Sequence, residues 1–375
     1  MAFFRHPPNP DDRGDVMLLD GSGQARTIST GWESLEGLAW SASGKEVWFS
    51  AAQSGEQYCI HAASLAGKER TVYCGTAPTR ILDIATSGRA LVSTEETRGS
   101  MALVEHGSDP SQERDLSWLS YSWGPQISDD GTEILFTDLS EQAGNDYSVY
   151  VRKSDGSPAV RLAGGGFGTS ISPDGKWALV LLADDPQARI QVVPVGAGQA
   201  HMPHWDGIQP RWADWFPDGQ HILMTASQSG QPEAVYITDV NGATPKQLST
   251  GNVSWRAGAP GAKSFVVSEN GAWVVRSISD GTIQPVHGIQ PGEYPVGWAL
   301  DGKHLFVQIS SPTGLTIYKL DVESGKRELW RTVTPKDQVG LRPMNVPISI
   351  TPDGRWLAFT YRTQLGQLYR SDTLK

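Results

Sequence analysis

The densest set of metal-ligand types in the chain is His201-Met-Pro-His204-Trp-Asp206, with two imidazoles close to one carboxylate. Such a set holds zinc or a similar ion if the loop curls to bring the three together. The chain has no His-Glu-x-x-His, and Pro203 argues against a helix presenting both rings. A polar surface loop is therefore expected, with no metal, and with His201, His204 and Asp206 as the candidates if an ion binds. Asp11-Asp12-Arg13-Gly14-Asp15 invites a calcium reading but lacks the spacing and terminal Glu of an EF-hand, so a solvated turn is expected. Glu95-Glu96 and Asp184-Asp185 are adjacent acids, and strand neighbours point to opposite faces, so neither pair is a catalytic dyad by itself. Gly164-Gly-Gly-Phe-Gly168 precedes an apolar strand rather than a helix, which leaves no helix N-terminus to hold a phosphate. No Gly-x-Ser-x-Gly nucleophile elbow exists. No catalytic residue and no cofactor are assigned.

Cys59 and Cys74 are the only cysteines. They fall on neighbouring strands, and a turn centred on Ala66-Gly67 sets them opposite each other. A disulfide is then open to them in an oxidising compartment. Cross-strand Cβ spacing of about 4.5–5.5 Å is long for a bridge, and a bulge at Gly67 would shift the register, so buried free thiols are the expected state.

The elements that position these residues come from one recurring phrase: an apolar residue or Trp, then Ser/Thr/Phe, then Pro/Asp, then Gly, then a hydrophobic run. It ends at Gly44, Gly88, Gly131, Gly175, Gly219, Gly261, Gly302 and Gly354, with spacings of 44, 43, 44, 44, 42, 41 and 52 residues. A period in the low forties suits four-stranded propeller blades. Pro-Asp-Gly sets up a tight turn: Pro fixes φ, Asp bonds the backbone ahead, and Gly accepts positive φ. The runs that follow, such as Glu46-Val-Trp-Phe49 and Trp356-Leu-Ala-Phe359, are β-branched and aromatic. An all-β propeller of four-stranded antiparallel blades is expected over residues 1–375 as a single domain, with eight blades, or seven as the alternative. Ala2–Arg5, Val16–Asp20 and Arg26–Ile28 read as the second to fourth strands of a blade without its first. The last repeat supplies two strands and a third near Gln367–Arg370, so closure is expected to pair these two partial sets.

The Ser-Pro-Asp-Gly-Lys/Arg phrase before an apolar strand resembles the WD-like repeat of TolB-type propellers, and the likeness runs along the whole chain. At the N-terminus, Phe3-Phe4-Arg5-His6-Pro7, Asp11-Asp12-Arg13-Gly14 and Gly31-Trp32-Glu33-Ser34-Leu35-Glu36-Gly37-Leu38-Ala39-Trp40 are similar to TolB-like propellers that follow bacterial serine/threonine protein kinases. This resemblance implies a sensor or interaction module, extracytoplasmic, with any kinase outside this chain.

Function classes narrow further with charge. Lys+Arg 31 against Asp+Glu 41 gives −10, which opposes a nonspecific grip on nucleic acid. No apolar window reaches membrane-spanning length. Trp40, Trp48, Trp177, Trp215, Trp298 and Trp356 occupy repeat-equivalent strand positions, and packing explains them. Trp32, Trp118, Tyr121, Trp205 and Tyr294 fall instead in the connections between blades. Glu33, Glu36, Glu95, Arg98, Asp146, Asp184, His204, Asp206, Glu293 and Arg342 are expected on the same loop face. Aromatics beside charges on rigidly held loops are binding anchors. The sequence thus points to a non-catalytic, monomeric propeller that binds a protein, peptide or small molecule. Its rival is a propeller enzyme, a lyase or glycan-active hydrolase, using acids and histidines at the channel mouth.

Overall fold

The structure is a computed structural model that describes residues 1–375 apart from 7–12, 54–57, 110–111, 141–142, 144–146, 183–188, 229, 251–252, 344–346, 373 and 375. Secondary structure among the described residues is almost wholly strand, in eight antiparallel sheets. The repeated turn shows why. At Ser172-Pro-Asp-Gly175, the Ser172 hydroxyl donates to Asp174 Oδ1 at 2.7 Å, and the Lys176 and Trp177 N–H groups donate to Ser172 Oγ at 3.1 and 3.0 Å. Gly175 closes the turn with its N–H on the Ser172 carbonyl at 2.8 Å, and its φ of 70° lies where a side chain is strained. Ser128/Asp130 and Thr351/Asp353 repeat the hydroxyl-to-carboxylate bond at 2.6 Å each. Each turn reverses the chain into the next strand, and the apolar run behind it is buried.

The chain divides into two compact units, Arg98–Thr363 and Met1–Thr97 with Gln364–Lys375. The boundary falls inside two 16-residue strands, Ala90–Glu105 and Trp356–Ser371.

In the larger unit, five sheets open with the strands Ser122–Ile127, Gly166–Ile171, Ile208–Trp215, Val253–Gly258 and Glu293–Trp298. Four of these sheets have four strands, and the one beginning at Gly166 has three. The sixth begins with Ile348–Ile350 and continues through Trp356–Thr363, then Arg98–Glu105, then Arg114–Asp115. Each sheet packs on the next, and the sixth returns to the first. Backbone-to-hydroxyl bonds tie neighbouring sheets: Gly168 N–H to Thr137 Oγ1 at 2.9 Å, Trp215 N–H to Ser170 Oγ at 3.1 Å, and Ile127 N–H to Ser349 Oγ at 3.1 Å. This unit is a β-propeller, with Phe136, Phe265 and Phe359 fully buried between its sheets.

In the smaller unit, Ala2–Arg5, Gly14–Leu19 and Ala25–Trp32 form one sheet, and Ser34–Trp40, Glu46–Ala52, Cys59–Ser64 and Glu69–Tyr73 form a second. Thr79–Ile84 pairs with residues 90–94, the start of the strand Ala90–Glu105 already counted in the sixth sheet. Trp32, Phe49 and Leu35 lie in its core.

The all-β propeller expectation holds, although sheets and repeats do not correspond one to one: the turns at Gly88 and Gly354 fall in one hydrogen-bonded sheet, and the first three strands hold none of the eight turns. Two details differ. The N-terminal strands do not pair with the last repeat; they make their own three-stranded sheet, and Trp356–Ser371 pairs with Ala90–Glu105. The expected strand near Gln367–Arg370 is the end of that continuous strand. The ring in the larger unit is accordingly closed by six sheets, because one 16-residue strand supplies the outer part of the closing sheet. A repeat count carries no information about where a ring closes.

Candidate functional site

A cavity of about 1210 Å³ runs through the larger unit, and all six first strands line it. Five of these strands share a feature that shapes the wall. Register shifts interrupt the first pairing between Trp123 and Gln126, Gly168 and Ser170, Pro210 and Trp212, Val253 and Arg256, and Pro295 and Gly297. A bulge adds a residue to one strand and re-aims its side chains. The strand Ile208–Trp215 uses this to bring Arg211, Trp212 and Asp214 to the cavity wall. Arg211 Nε pairs with Glu233 Oε1 at 2.9 Å, and Trp212 Nε1 donates to Asp214 Oδ1 at 3.3 Å. Most of the charge among the described lining side chains therefore comes from one sheet.

The turn after each first strand contributes a second group of lining residues. The repeat position before the turn Asp or Gly is Pro173, Pro217, Pro260, Leu300 and Pro352 in five sheets, and Asp129 in the sixth. Asp129 is thus an acid at an otherwise apolar position. Its surface is open to water, yet the protein massed around it withdraws bulk solvent. That desolvation, reinforced by Asp130 and Asp353, pushes the carboxyl up to about 6.

Of the residues picked out from sequence, Tyr294 reaches this cavity and is 60% exposed. Trp205 is buried in the core. Trp118 is partly exposed, with the Arg152 guanidinium 5.9 Å from its ring. Tyr121 packs face to backbone with Gly99. Arg98 and Arg342 are exposed, and the Arg342 N–H bonds the Arg362 carbonyl at 2.8 Å. Glu293 is buried and ion-paired with Arg327. His201 and His204 point to different partners: His201 Nε2 lies 2.9 Å from the Val240 carbonyl, and His204 Nε2 lies 2.9 Å from Asp206 Oδ1. Among the described residues no three His, Cys, Asp or Glu side chains gather as a metal site. Asp11, Asp12, Asp146, Asp184 and Asp185 lie outside the described residues.

The remaining candidates belong to the smaller unit. Trp32 is buried, with its Nε1 on Ser29 Oγ at 2.6 Å and its ring against Phe49 and His61. Glu33 is exposed opposite Arg13 at 3.8 Å. Glu36 and Glu95 both pair with Arg80, and Gln364 Nε2 donates to Glu95 at 2.6 Å. Glu95 also lines a cleft of about 840 Å³ with Tyr73, Thr76, Leu365 and Tyr369. Cys59 and Cys74 form a disulfide, with their Cα atoms 4.5 Å apart. The expected free thiols are not what is found. The hairpin starts one step out of register, with His61 opposite Thr71, and an irregularity then sets Ile60 opposite Tyr73, which brings Cys59 level with Cys74.

Sequence reasoning missed Asp129, Arg211, Trp212, Asp214 and Glu233. One signal was present: Gln209-Pro-Arg-Trp-Ala-Asp-Trp215 alternates charged and aromatic residues where the equivalent Gly166-Phe-Gly-Thr-Ser-Ile171 has none charged. The Asp129 signal was its occupation of the Pro position in the repeat.

No family model and no curated protein sequence matches the chain. Among solved structures it is similar to TolB from Acinetobacter baumannii, at 14% identity and a TM-score of 0.30, covering 98% of this chain and 64% of that one. It is also similar to a putative TolB from Agrobacterium tumefaciens, at 16% identity and a TM-score of 0.36, covering 93% and 96% of the two chains. An oligogalacturonate lyase in complex with manganese matches at 13% identity and a TM-score of 0.41, covering 86% and 84%. The chain thus spans just under two thirds of the Acinetobacter chain's length. These are likenesses of fold, and the fold assignment rests on the sheets themselves.

Proposed function

We propose that this chain is a non-catalytic binding propeller whose ligand, a small molecule or a protruding segment of a protein, enters the axial cavity of the larger unit. The observation that carries the reading is the cavity itself: six first strands converge on one space where prolines and aromatics alternate with acids, an arginine, amides and hydroxyls. A concave space with convergent polar groups suits ligand binding. As the sequence resemblance implies, the chain serves as the sensor or interaction module of a larger bacterial signalling protein outside the cytoplasm. The Cys59–Cys74 disulfide supports an oxidising compartment.

The enzyme reading draws on Asp129, whose raised carboxyl suits proton transfer near neutral pH. It needs a second reacting group within about 6 Å of it, placed to act on the same substrate. Asp353, one of the two acids that raise Asp129, is the candidate.

Gly297 offers the test. It lines the cavity, its backbone is outside the left-handed region, and a Cβ there meets no atom within 4 Å. Gly297→Trp should therefore project a ring into the cavity and crowd a ligand there without disturbing the fold. A mixture of aromatic fragments observed by ligand NMR should bind the wild type and not the variant, and remain unchanged on long incubation. Equal binding to both proteins would remove the cavity as the site. Signals of fragment breakdown products would move the assignment to the enzyme.

A further inference from the structure

We infer that an open sheet edge in the smaller unit, Leu365–Arg370, pairs with the same edge of a second copy of this chain, joining two copies through one continuous antiparallel sheet. The inference is independent of the cavity reading, and it departs from the monomer expected from sequence. Within the smaller unit, Thr79–Ile84 pairs with residues 90–94, and the end of Trp356–Ser371 is the next strand outward. Gln364 Nε2 donates to Glu95 Oε2 at 2.6 Å, and a Cβ on Gly366 would lie 3.8 Å from the Thr94 carbonyl oxygen, which sets this end beside residues 94–95. Ile348–Ile350 pairs only with Leu357–Phe359, so among the described residues no strand covers the far edge of Leu365–Arg370. The neighbouring sheet of the same unit does have a fourth strand, Glu69–Tyr73.

Burial shows what that missing cover means. Third strands elsewhere are shielded: Ser148–Lys153 is buried except at Lys153, and Ala234–Asp239 is buried or half-buried throughout. Leu365–Arg370 is exposed at every position, with Leu368 at 65%. Open edges invite pairing with another chain and are ordinarily guarded by charges, proline or shortness. The fold's other outer strands are guarded in this way. Glu69–Tyr73 and Arg327–Val333 carry charges of both signs, Val160–Gly164 carries Arg161, and Ile283–Pro285 is short and ends in proline. From Gln364 to Tyr369 there is neither a charge nor a proline.

The residues of this edge also complement themselves. Leu365, Gln367 and Tyr369 line the cleft of about 840 Å³ and so share one face, and the Tyr369 hydroxyl donates to Gln367 Oε1. Gly366 and Leu368 alternate onto the other face. A two-fold axis normal to the sheet keeps each face on its own side, and through Gln367 it sets residues whose numbers sum to 734 opposite each other. Leu365 then faces Tyr369 of the second copy, and Tyr369 faces its Leu365. On the other side Leu368 lies over the second copy's Gly366, large against small, in both directions. Such aliphatic–aromatic and large–small cross-strand pairs stabilise a sheet.

A single strand pair lies at the small end of stable interfaces, so the dimer should form reversibly at about 10–100 µM chain. Sedimentation velocity of the whole chain across that range should show the mass double as concentration rises. Gln367 is exposed and sits on the axis, so Gln367→Glu and Gln367→Lys each bring two like charges together. Each variant alone should sediment as a monomer, and an equimolar mixture of the two should restore the dimer. A wild type that stays monomeric throughout overturns the inference. So does a dimer that both variants leave intact, or a mixture that remains monomeric.

Discussion

The backbone N–H of Ile127 donates to the Ser349 hydroxyl at 3.1 Å, joining residues 222 positions apart and binding the first sheet of the larger unit to its last. Closing so long a loop is entropically costly, and a bond at the seam offsets part of that cost. The same type of bond, Trp215 to Ser170 and Gly168 to Thr137, links sheets that follow one another in sequence. Ser349→Ala should therefore destabilise the larger unit by about 1–2 kcal/mol, because it leaves a buried N–H without its partner. Thermal unfolding followed by circular dichroism checks this, with Ser170→Ala as the comparison. An unchanged melting temperature in Ser349→Ala would mean that this bond does not hold the seam.

The turns make a second prediction. The Ser172 hydroxyl, followed by the N–H of Lys176 against some opposing burial, holds the Asp174 carboxyl below its ordinary value. A group with a lowered folded value stabilises above its unfolded pKa and loses that contribution as pH falls through the folded one. Asp174→Ala should cost about 1 kcal/mol at neutral pH, and the gap from wild type should narrow in acid below the unfolded value of 3.8. Gly175→Ala should cost about 1 kcal/mol at every pH, because its penalty is conformational. Denaturant titration over a pH series separates the two.

Asp129 should behave in the opposite way. Its folded value of about 6 exceeds the unfolded 3.8, so the folded state binds that proton more tightly. The associated stability is complete below the unfolded value and lost as pH rises through about 6. Asn resembles the protonated acid, so Asp129→Asn should be more stable than wild type at neutral pH and equal to it in strong acid. A variant less stable than wild type at neutral pH would show that the ionised carboxylate is held by favourable contacts.

The disulfide predicts a chemical result. Denatured, unreduced protein should titrate no free thiol. Cys59→Ser with Cys74→Ser, or reduction, should lower the stability of the smaller unit by about 3 kcal/mol, the chain-entropy value for a loop near the observed separation of 15 residues. Two titratable thiols would contradict the bridge.

These cases show which parts of the molecule were legible in its residues. Pro-Asp-Gly turns act locally, through Pro, Asp and Gly at fixed offsets, so the eight turns and the strands behind them were readable. Ring closure is not local: Ile127 and Ser349 carry no mutual signal in the chain. Trp32 and Trp205 were read as loop aromatics but are buried, because a connection crossing a sheet end also caps its core. The bridge was underestimated because the Ile60–His61 register shift follows from hairpin geometry that no single residue announces. The axial wall was largely missed because a bulge decides which side chains of Ile208–Trp215 face inward, and the period-two rule breaks there.

The most direct test of the account is hydrogen–deuterium exchange of the whole chain with and without an aromatic fragment found to bind it. If six first strands surround one ligand site, the fragment should slow exchange together in peptides covering Ser122–Ile127, Gly166–Ile171, Ile208–Trp215, Val253–Gly258, Glu293–Trp298 and Ile348–Ile350. Gly297→Trp should abolish that protection. Protection confined to other segments, or undiminished in Gly297→Trp, would contradict an axial binding site.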